Sequence, residues 1–153
     1  MKFRVLLGLS LIVLLSVSLN TLTVGDEAED GIDFKKILCP ISKKPVDKSA
    51  KLEHDGADVY FCCQNCPKAF AKNTDKFLAR ANHQKVATKQ AKQVKCPKSK
   101  GPIKESTALE VAGVDVLFCC NNCRGWAKKL SSDDQFAKLF GADIFGKAFK
   151  NVE

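Results

Sequence analysis

The chain has 153 residues, with 25 Lys or Arg against 17 Asp or Glu, and a formal charge of +8. This length suits one ordinary domain or two very small ones, and a chain that is 45% hydrophobic is not wholly disordered. With only two histidines, His-rich metal sites and most histidine acid–base sites are excluded. The unusual feature is the cysteine content, which is eight residues.

The N-terminus has the form of a secretory signal peptide over residues 1–25. Lys2 and Arg4 precede an apolar run, Val5–Leu19, which is about 15 residues long, whereas a spanning helix needs about 20. An uncleaved membrane anchor is the alternative. We predict cleavage, an acidic linker over 26–36, no membrane span in the mature chain, and a secreted or periplasmic location.

The mature chain remains basic. Removing residues 1–25 takes away two cationic residues and no acidic ones, which leaves a formal charge of +6. Such a balance suits anionic surfaces or nucleic acid. However, the lysines are scattered without interleaved aromatic residues, and an exported protein has little access to nucleic acid. We therefore predict no nucleic-acid partner, and the sequence indicates no particular protein partner.

The chain contains an internal repeat that holds every cysteine. Cys39–Cys66 aligns with Cys96–Cys123 at a constant offset of 57 residues, without a gap, and 16 of the 28 positions are identical. This repeat predicts four segments after the linker: a first cysteine module over 37–81, a polar linker or helix over 82–93, a second module over 94–141, and a C-terminal tail over 142–153.

Each copy predicts the same order of local structure, beginning with a turn and a hairpin. The prolines around Cys39 favour a tight turn. Lys51–His54 and Ala57–Phe61 flank Asp55-Gly56, a strong two-residue hairpin signal, and Ala112-Gly113 occupies that turn in the second copy.

Two helices are predicted to follow each hairpin. Pro67 suits a first helical turn, and we expect the Cys62-x3-Cys66 pair, or the Cys63-x2-Cys66 pair, to lie on that turn. Second helices are predicted near Thr74 and near Ser132, where Ser132-Asp-Asp-Gln has the form of a capping box. The predicted fold class is therefore α+β, with two tandem modules of turn, hairpin, helix and helix.

Each module is near the length at which a core alone seldom supports folding. A structural zinc site contributes on the order of 10–16 kcal/mol and a disulfide roughly 2–4 kcal/mol, so either would suffice. The disulfide alternative joins Cys39 to Cys62 and Cys63 to Cys66. A third alternative makes Cys63-x2-Cys66 a redox-active dithiol, although no thioredoxin-like pattern surrounds it.

The spacing Cys39-x22-Cys62-x3-Cys66, which recurs in the second copy, resembles the TRASH and YHS-type metal-binding modules. The strand end before Cys62 and the downstream Phe70 match that pattern too. The resemblance implies small treble-clef-like (zinc-ribbon-like) modules in heavy-metal binding or handling, with zinc as the metal and copper as the alternative.

The repeat departs from common zinc knuckles at two positions in each copy. Ser42 and Ser99 stand where a fourth ligand is usual, and Cys63 and Cys120 are additional to the three-cysteine pattern. We suggest that the extra cysteine completes a four-sulfur shell; a three-thiolate site with an open position, suited to Cu(I), is the alternative. The candidate metal ligands are Cys39, Cys62, Cys63, Cys66, Cys96, Cys119, Cys120 and Cys123.

Neither histidine is repeated in the second copy or at the equivalent position after it. His54 aligns with Val111 and His83 aligns with Phe140, so neither is an essential ligand if both modules perform one task. No nucleophile–base set, phosphate-binding glycine loop or H-E-x-x-H motif is present. We therefore predict that the protein is not an enzyme and has no catalytic residues.

Overall fold

A computed structural model describes residues 31–152 of the chain. The predicted signal peptide, 1–25, and the first part of the predicted acidic linker, 26–30, lie outside the described residues. Two antiparallel hairpins, each followed by helices, confirm the predicted α+β class and the predicted order of elements in each module.

A short 3-10 helix at Phe34–Lys36 precedes the first module. The elements that follow, in chain order, are β1 (Asp47–His54), β2 (Ala57–Phe61), α1 (Cys66–Lys72), α2 (Thr74–Ala87), β3 (Ala91–Gln93), β4 (Lys104–Val111), β5 (Val114–Phe118), α3 (Asn121–Lys128), α4 (Ser132–Phe140), α5 (Ala142–Ala148) and β6 (Phe149–Asn151). The hairpin strands of the two modules begin and end 57 residues apart, so the repeat in sequence is a repeat in structure.

Both hairpin turns have the mirror-image geometry that suits two-residue loops. Asp55 and Gly56 have φ of +50° and +69°, and Ala112 and Gly113 have φ of +49° and +83°. Two consecutive positive φ values define a type I′ turn, whose twist matches the flanking strands. Alanine in this region costs roughly 1 kcal/mol. The second turn is therefore the more strained of the two.

The first helix begins at different positions in the two modules. Pro67 lies in the first turn of α1, as predicted, but α1 begins only at Cys66. The expectation that Cys62 or Cys63 shares that turn with Cys66 is therefore wrong: the chain first makes a tight turn, in which the Cys66 N–H donates to the Cys63 carbonyl at 3.2 Å. Arg124 stands at the position equivalent to Pro67, and α3 begins earlier, at Asn121.

The N-cap of α4 is Ser131, one residue earlier than predicted. Its hydroxyl oxygen accepts a hydrogen bond from the Asp134 backbone N–H at 3.2 Å, and its hydroxyl donates to the Asp134 carboxylate at 2.8 Å. Ser131 has extended backbone, whereas Ser132 is already helical. Because two serines are followed by two aspartates, the sequence pattern allows either Ser131 or Ser132 to be the N-cap.

The modules pack against each other through α2, β3 and the C-terminal residues. β3 pairs antiparallel with β6. From α2, the Asn82 amide donates to the Phe140 carbonyl at 2.9 Å and His83 Nε2 lies 2.9 Å from the Val111 carbonyl oxygen. The stretch 82–93 thus supplies buried side chains at the contact between modules, and Ala148 and Phe149 of the tail belong to the second core.

Glutamine side chains cover the free edge of each hairpin. The Gln84 amide bonds the Tyr60 N–H at 2.7 Å and the Tyr60 carbonyl at 2.9 Å, and Gln90 does the same at Asp58 at 2.6 and 2.8 Å. In the second module Gln93 bonds the Leu117 N–H and carbonyl at 2.8 and 2.7 Å. These amides occupy backbone groups that would otherwise be open to pairing with another strand.

Candidate metal centres

Each module brings three cysteine sulfurs to one point. The sulfurs of Cys39, Cys62 and Cys66 all lie within 4.8 Å of one another. The equivalent three sulfurs of the second module, from Cys96, Cys119 and Cys123, meet the same criterion. We call these sets the first triad and the second triad. Each could hold a metal ion.

The first sulfur of each triad is held by a tight turn. The Cys39 N–H donates to the Lys44 carbonyl at 2.8 Å, and the Lys43 N–H donates back to the Cys39 carbonyl at 3.0 Å. Lys43 has φ of +60°, and its equivalent, Lys100, has φ of +63°. The second turn closes through the same backbone bonds around Cys96, at 2.9 Å each. The two turns are therefore copies in backbone geometry.

The other two sulfurs come from the junction between hairpin and helix. Cys62 directly follows β2, and Cys66 begins α1. Their sulfurs are 3.6 Å apart, and the equivalent sulfurs of the second module are also 3.6 Å apart. Four sulfurs around zinc with bonds of about 2.3 Å stand roughly 3.8 Å from one another. The donor set and its spacing thus fit a thiolate-bound ion.

The extra cysteine of each module lies at the rim of the site. The Cys63 sulfur is 3.5 Å from Cys66, and the Cys120 sulfur is 3.6 Å from Cys119. Both side chains are exposed, and neither belongs to a triad in which all sulfurs are mutually close. Each of these sulfurs lies on the solvent side of its triad. The assignment of Cys63 and Cys120 as fourth ligands therefore stays a prediction.

Ser42 and Ser99 adjoin the triads, a position that the sequence did not lead us to expect. The Ser42 hydroxyl oxygen lies 3.1 Å from the Cys62 sulfur and accepts from the Lys44 N–H at 3.3 Å. Because the oxygen is already an acceptor, its proton is free to point at sulfur. Ser99 has the same two contacts, with 3.1 Å to the Cys119 sulfur. The identical Cys-x2-Ser spacing in both copies was the available signal.

Hydrogen bonds lower the pKa of one cysteine in each triad. Burial raises the pKa of Cys39, but hydrogen bonds from the Ser42 side chain and nearby backbone N–H groups outweigh it and lower the pKa to about 7. Burial and Ser99 act in the same way on Cys96, whose pKa is also lowered to about 7. An ordinary cysteine titrates near 8.5. Cys39 and Cys96 are therefore ionised to a larger extent at neutral pH than an ordinary cysteine.

The helix-start cysteines behave in the opposite way. Burial, followed by the neighbouring thiols, raises the pKa of Cys66 above its ordinary range and raises the pKa of Cys123 to about 12. Clustered sulfurs cannot all ionise unless a cation compensates the charge. Metal binding at these sites would therefore release protons.

The two histidines lie outside both triads. His54 packs edge-on against Phe70, with ring centroids 5.5 Å apart. His83 is 9% exposed and packs against Phe136 and Phe140, with centroids 5.0 Å away in each case. His83 is thus a packing residue between the modules. Within residues 31–152 the two triads are the clusters of cysteine, histidine or acidic side chains that could hold an ion.

Comparison with protein-family models, with curated proteins and with solved structures gives no match to this chain. Among the described residues, no helix combines the length and the apolar character needed to cross a membrane. The chemistry of the chain is therefore inferred from its own geometry, and that geometry contains two sulfur sites of the same design.

Proposed function

We propose that this chain is an exported, non-enzymatic metal-binding protein that holds one zinc or copper-type ion in each module. The observation that carries the proposal is the pair of triads, in which sulfurs distant in sequence converge twice in the same arrangement. The resemblance of the cysteine spacing to TRASH and YHS-type modules supports a role in heavy-metal binding or handling. The form of residues 1–25 supports export.

The donor chemistry favours a soft or borderline cation. Thiolate sulfur selects zinc and Cu(I) over calcium and magnesium, which prefer oxygen. Cys39, Cys62 and Cys66 would hold the ion in the first module, with Cys63 as the fourth ligand. The ion would compensate the charge of the thiolates. Ser42 would donate a hydrogen bond to the sulfur of Cys62, and such second-sphere bonds orient metal ligands.

The choice between zinc and copper depends on the fourth position. A closed four-sulfur shell is typical of structural zinc, whereas three thiolates with an open position suit an exchangeable ion. Cys63 and Cys120 reach their sites from the exposed side, so an ion held by the triads alone would remain accessible to a competing thiol.

All eight cysteines are free thiols in this structure. The intact mass, measured under native and denaturing conditions together with a free-thiol count, tests the proposal. We expect two ions in the native protein and eight free thiols after the metal is removed. Four disulfides without metal would contradict the proposal and support a disulfide-stapled binding module. A readily reducible Cys63–Cys66 bond in metal-free protein would support a dithiol oxidoreductase instead.

A further inference from the structure

A cleft lies at the contact between the modules. A cavity of about 210 Å³ lies where the hairpin turn of the second module, at Ala112-Gly113, faces α2 and the Cys39 turn of the first. The turn of the first module, at Asp55, borders a second cavity of about 290 Å³ beside α5. The two cavities occupy corresponding places in the two halves of the molecule.

The first cavity, which we call the inter-module cleft, has a cationic rim. Lys36, Lys43, Arg80 and Lys89 line it, together with the acidic Asp33. Asp33 lies 3.5 Å from Lys36 in an exposed pair, and such pairs are weak. Lys43 is exposed and makes no ion pair or side-chain hydrogen bond with another residue in 31–152. Among the described residues that line the cleft, four cations therefore outnumber one acidic side chain.

Arg80 is held in a fixed position at this rim. Its guanidinium lies 4.3 Å from the centre of the Phe136 ring and 2.5 Å from an Asp133 carboxylate oxygen, and its side chain is 23% exposed. One carboxylate engages only part of the five N–H donors that a guanidinium offers. A second anion can therefore be bound without displacing the first.

The floor of the inter-module cleft is apolar. Ile37, Leu38 and Phe136 line it, and Leu38 is 49% exposed although it is a large hydrophobic residue. At the equivalent positions of the second module, Lys95 replaces Leu38 and Ala137 replaces Arg80. The combination of apolar floor and fixed cation therefore belongs to the first module and is not a general property of the repeat.

We propose that the inter-module cleft binds a small organic anion, with its carboxylate at Lys43 and Arg80 and its apolar body on Leu38. An inorganic anion would leave the apolar floor uncovered, and an apolar cation would meet like charge at the rim. A volume of about 210 Å³ accommodates the body of a short-chain or single-ring carboxylate. Cys39 of the first triad also lines the cleft, so hexanoate is titrated at one fixed metal load.

The test is a titration of the full chain, as purified, with hexanoate, followed by amide NMR. The turn glycines are matched reporters: Gly113 lines the inter-module cleft, and Gly56 is the turn glycine of the other half. We expect saturable shifts at Gly113 and Leu38 with Gly56 unmoved. Hexylammonium should cause no saturable shift, and sulfate should bind at least fivefold more weakly than hexanoate.

Two variants locate the site. Lys43→Gln should weaken hexanoate binding at least fivefold, whereas Lys100→Gln, the equivalent change in the second module, should leave it unchanged. Leu38→Gln should weaken hexanoate but not sulfate, and the fold tolerates a polar residue there because Lys95 is its equivalent. Absence of saturation at millimolar hexanoate, equal affinity for sulfate, or equal effects of Lys43→Gln and Lys100→Gln would each overturn the proposal.

Discussion

The two modules share their hairpins and triads but protect their sheet edges in different ways. Gln84 continues α2 and covers the edge of β2, whereas its equivalent, Gly141, separates α4 from α5. A Cβ at Gly141 would lie 2.4 Å from the Ala137 carbonyl oxygen, so no side chain fits. The second module takes its edge-covering amide from Gln93 instead. Both glutamines come from the stretch between the modules.

The triads and hairpins are thus repeated between the modules, whereas the packing around them is not. The first module relies on α2, which also contacts the second module through Asn82 and His83. The second module relies on its own α4 and α5, on the tail, and on Ala79, Val86 and Ala87 of α2. Helix α2 therefore supports both modules, whereas α4 and α5 belong to the second module. Variants can measure this unequal dependence.

The largest expected effect is the loss of one triad ligand. Cys39→Ser should remove one ion and unfold the first module, because a structural thiolate site contributes on the order of 10 kcal/mol. Since α2 would lose its support, contacts to the second module should weaken as well. Cys96→Ser should remove one ion but leave α2 docked on the first module.

Native mass and amide NMR of both variants check this prediction. If the two modules folded as separate units, which is the simplest expectation from a sequence repeat, each variant would lose one ion and unfold only its own module. Mirror-image losses would therefore contradict the unequal dependence proposed for α2.

The next effect concerns the edge-covering glutamines. Gln84→Ala removes three hydrogen bonds, to Tyr60 N–H, Tyr60 carbonyl and Leu38 carbonyl, from a side chain that is 2% exposed. We expect it to lower the free energy of unfolding by about 2–4 kcal/mol. Gln93→Ala should cost about half as much, because Gln93 is half-buried and water can replace its bonds.

Denaturant unfolding of the metal-loaded variants measures these differences. Gln64→Ala is the matched control, since Gln64 is exposed and makes a 3.3 Å bond to the Ser49 carbonyl. Equal losses for Gln64→Ala and Gln84→Ala would show that the edge amides do not stabilise the hairpins.

A smaller, pH-dependent effect is expected at His83, where the second module has Phe140. Burial lowers the pKa of His83 below its ordinary value near 6.5. A lowered pKa means that the folded state holds the proton less tightly than the unfolded state. The stability contribution is therefore intact above pH 6.5 and is lost as the pH falls toward the folded-state pKa, by at most about 1.4 kcal/mol per pH unit.

His83→Gln, which keeps a donor toward the Val111 carbonyl, should flatten this dependence. Unfolding free energies at pH 7 and pH 5.5, measured for both proteins under the same metal load, give the result. An unchanged pH slope in the variant would exclude His83 as its source.

The smallest effects on stability are expected at the triad serines. Ser42→Ala should raise the pKa of Cys39, so an incoming ion must displace an additional proton at neutral pH. We expect affinity at the first site to fall about tenfold at pH 7 and less at pH 9. Ser99→Ala should do the same at the second site.

Chelator competition on the two serine variants measures both affinities. Equal losses of affinity in the two variants would show that Ser42 and Ser99 assist their sites to the same extent. An unchanged affinity in either variant would show that the serine hydroxyl does not assist that site.

The sequence was sufficient to predict the repeated elements because local signals were strong. Asp55-Gly56 and Pro67 determine their turn and helix start through backbone sterics alone. The convergence of three sulfurs also followed from the spacing, since Cys39 lies in a turn and Cys62 and Cys66 flank a strand-to-helix junction.

The contacts between modules could not be predicted from such patterns. Residues 82–93 are polar, and polarity normally indicates a solvated linker. Yet Gln84 and His83 are buried there because each amide or ring nitrogen meets a backbone group of a distant strand. Those partners are set by tertiary packing, which the local sequence does not encode.

X-ray absorption at the metal edge of the zinc-loaded protein is the most direct test of the two sulfur sites. We predict a first shell of sulfur at about 2.3 Å, with three or four sulfurs for each ion and two ions for each chain. A first shell of nitrogen or oxygen near 2.0–2.1 Å, without sulfur, would contradict the account.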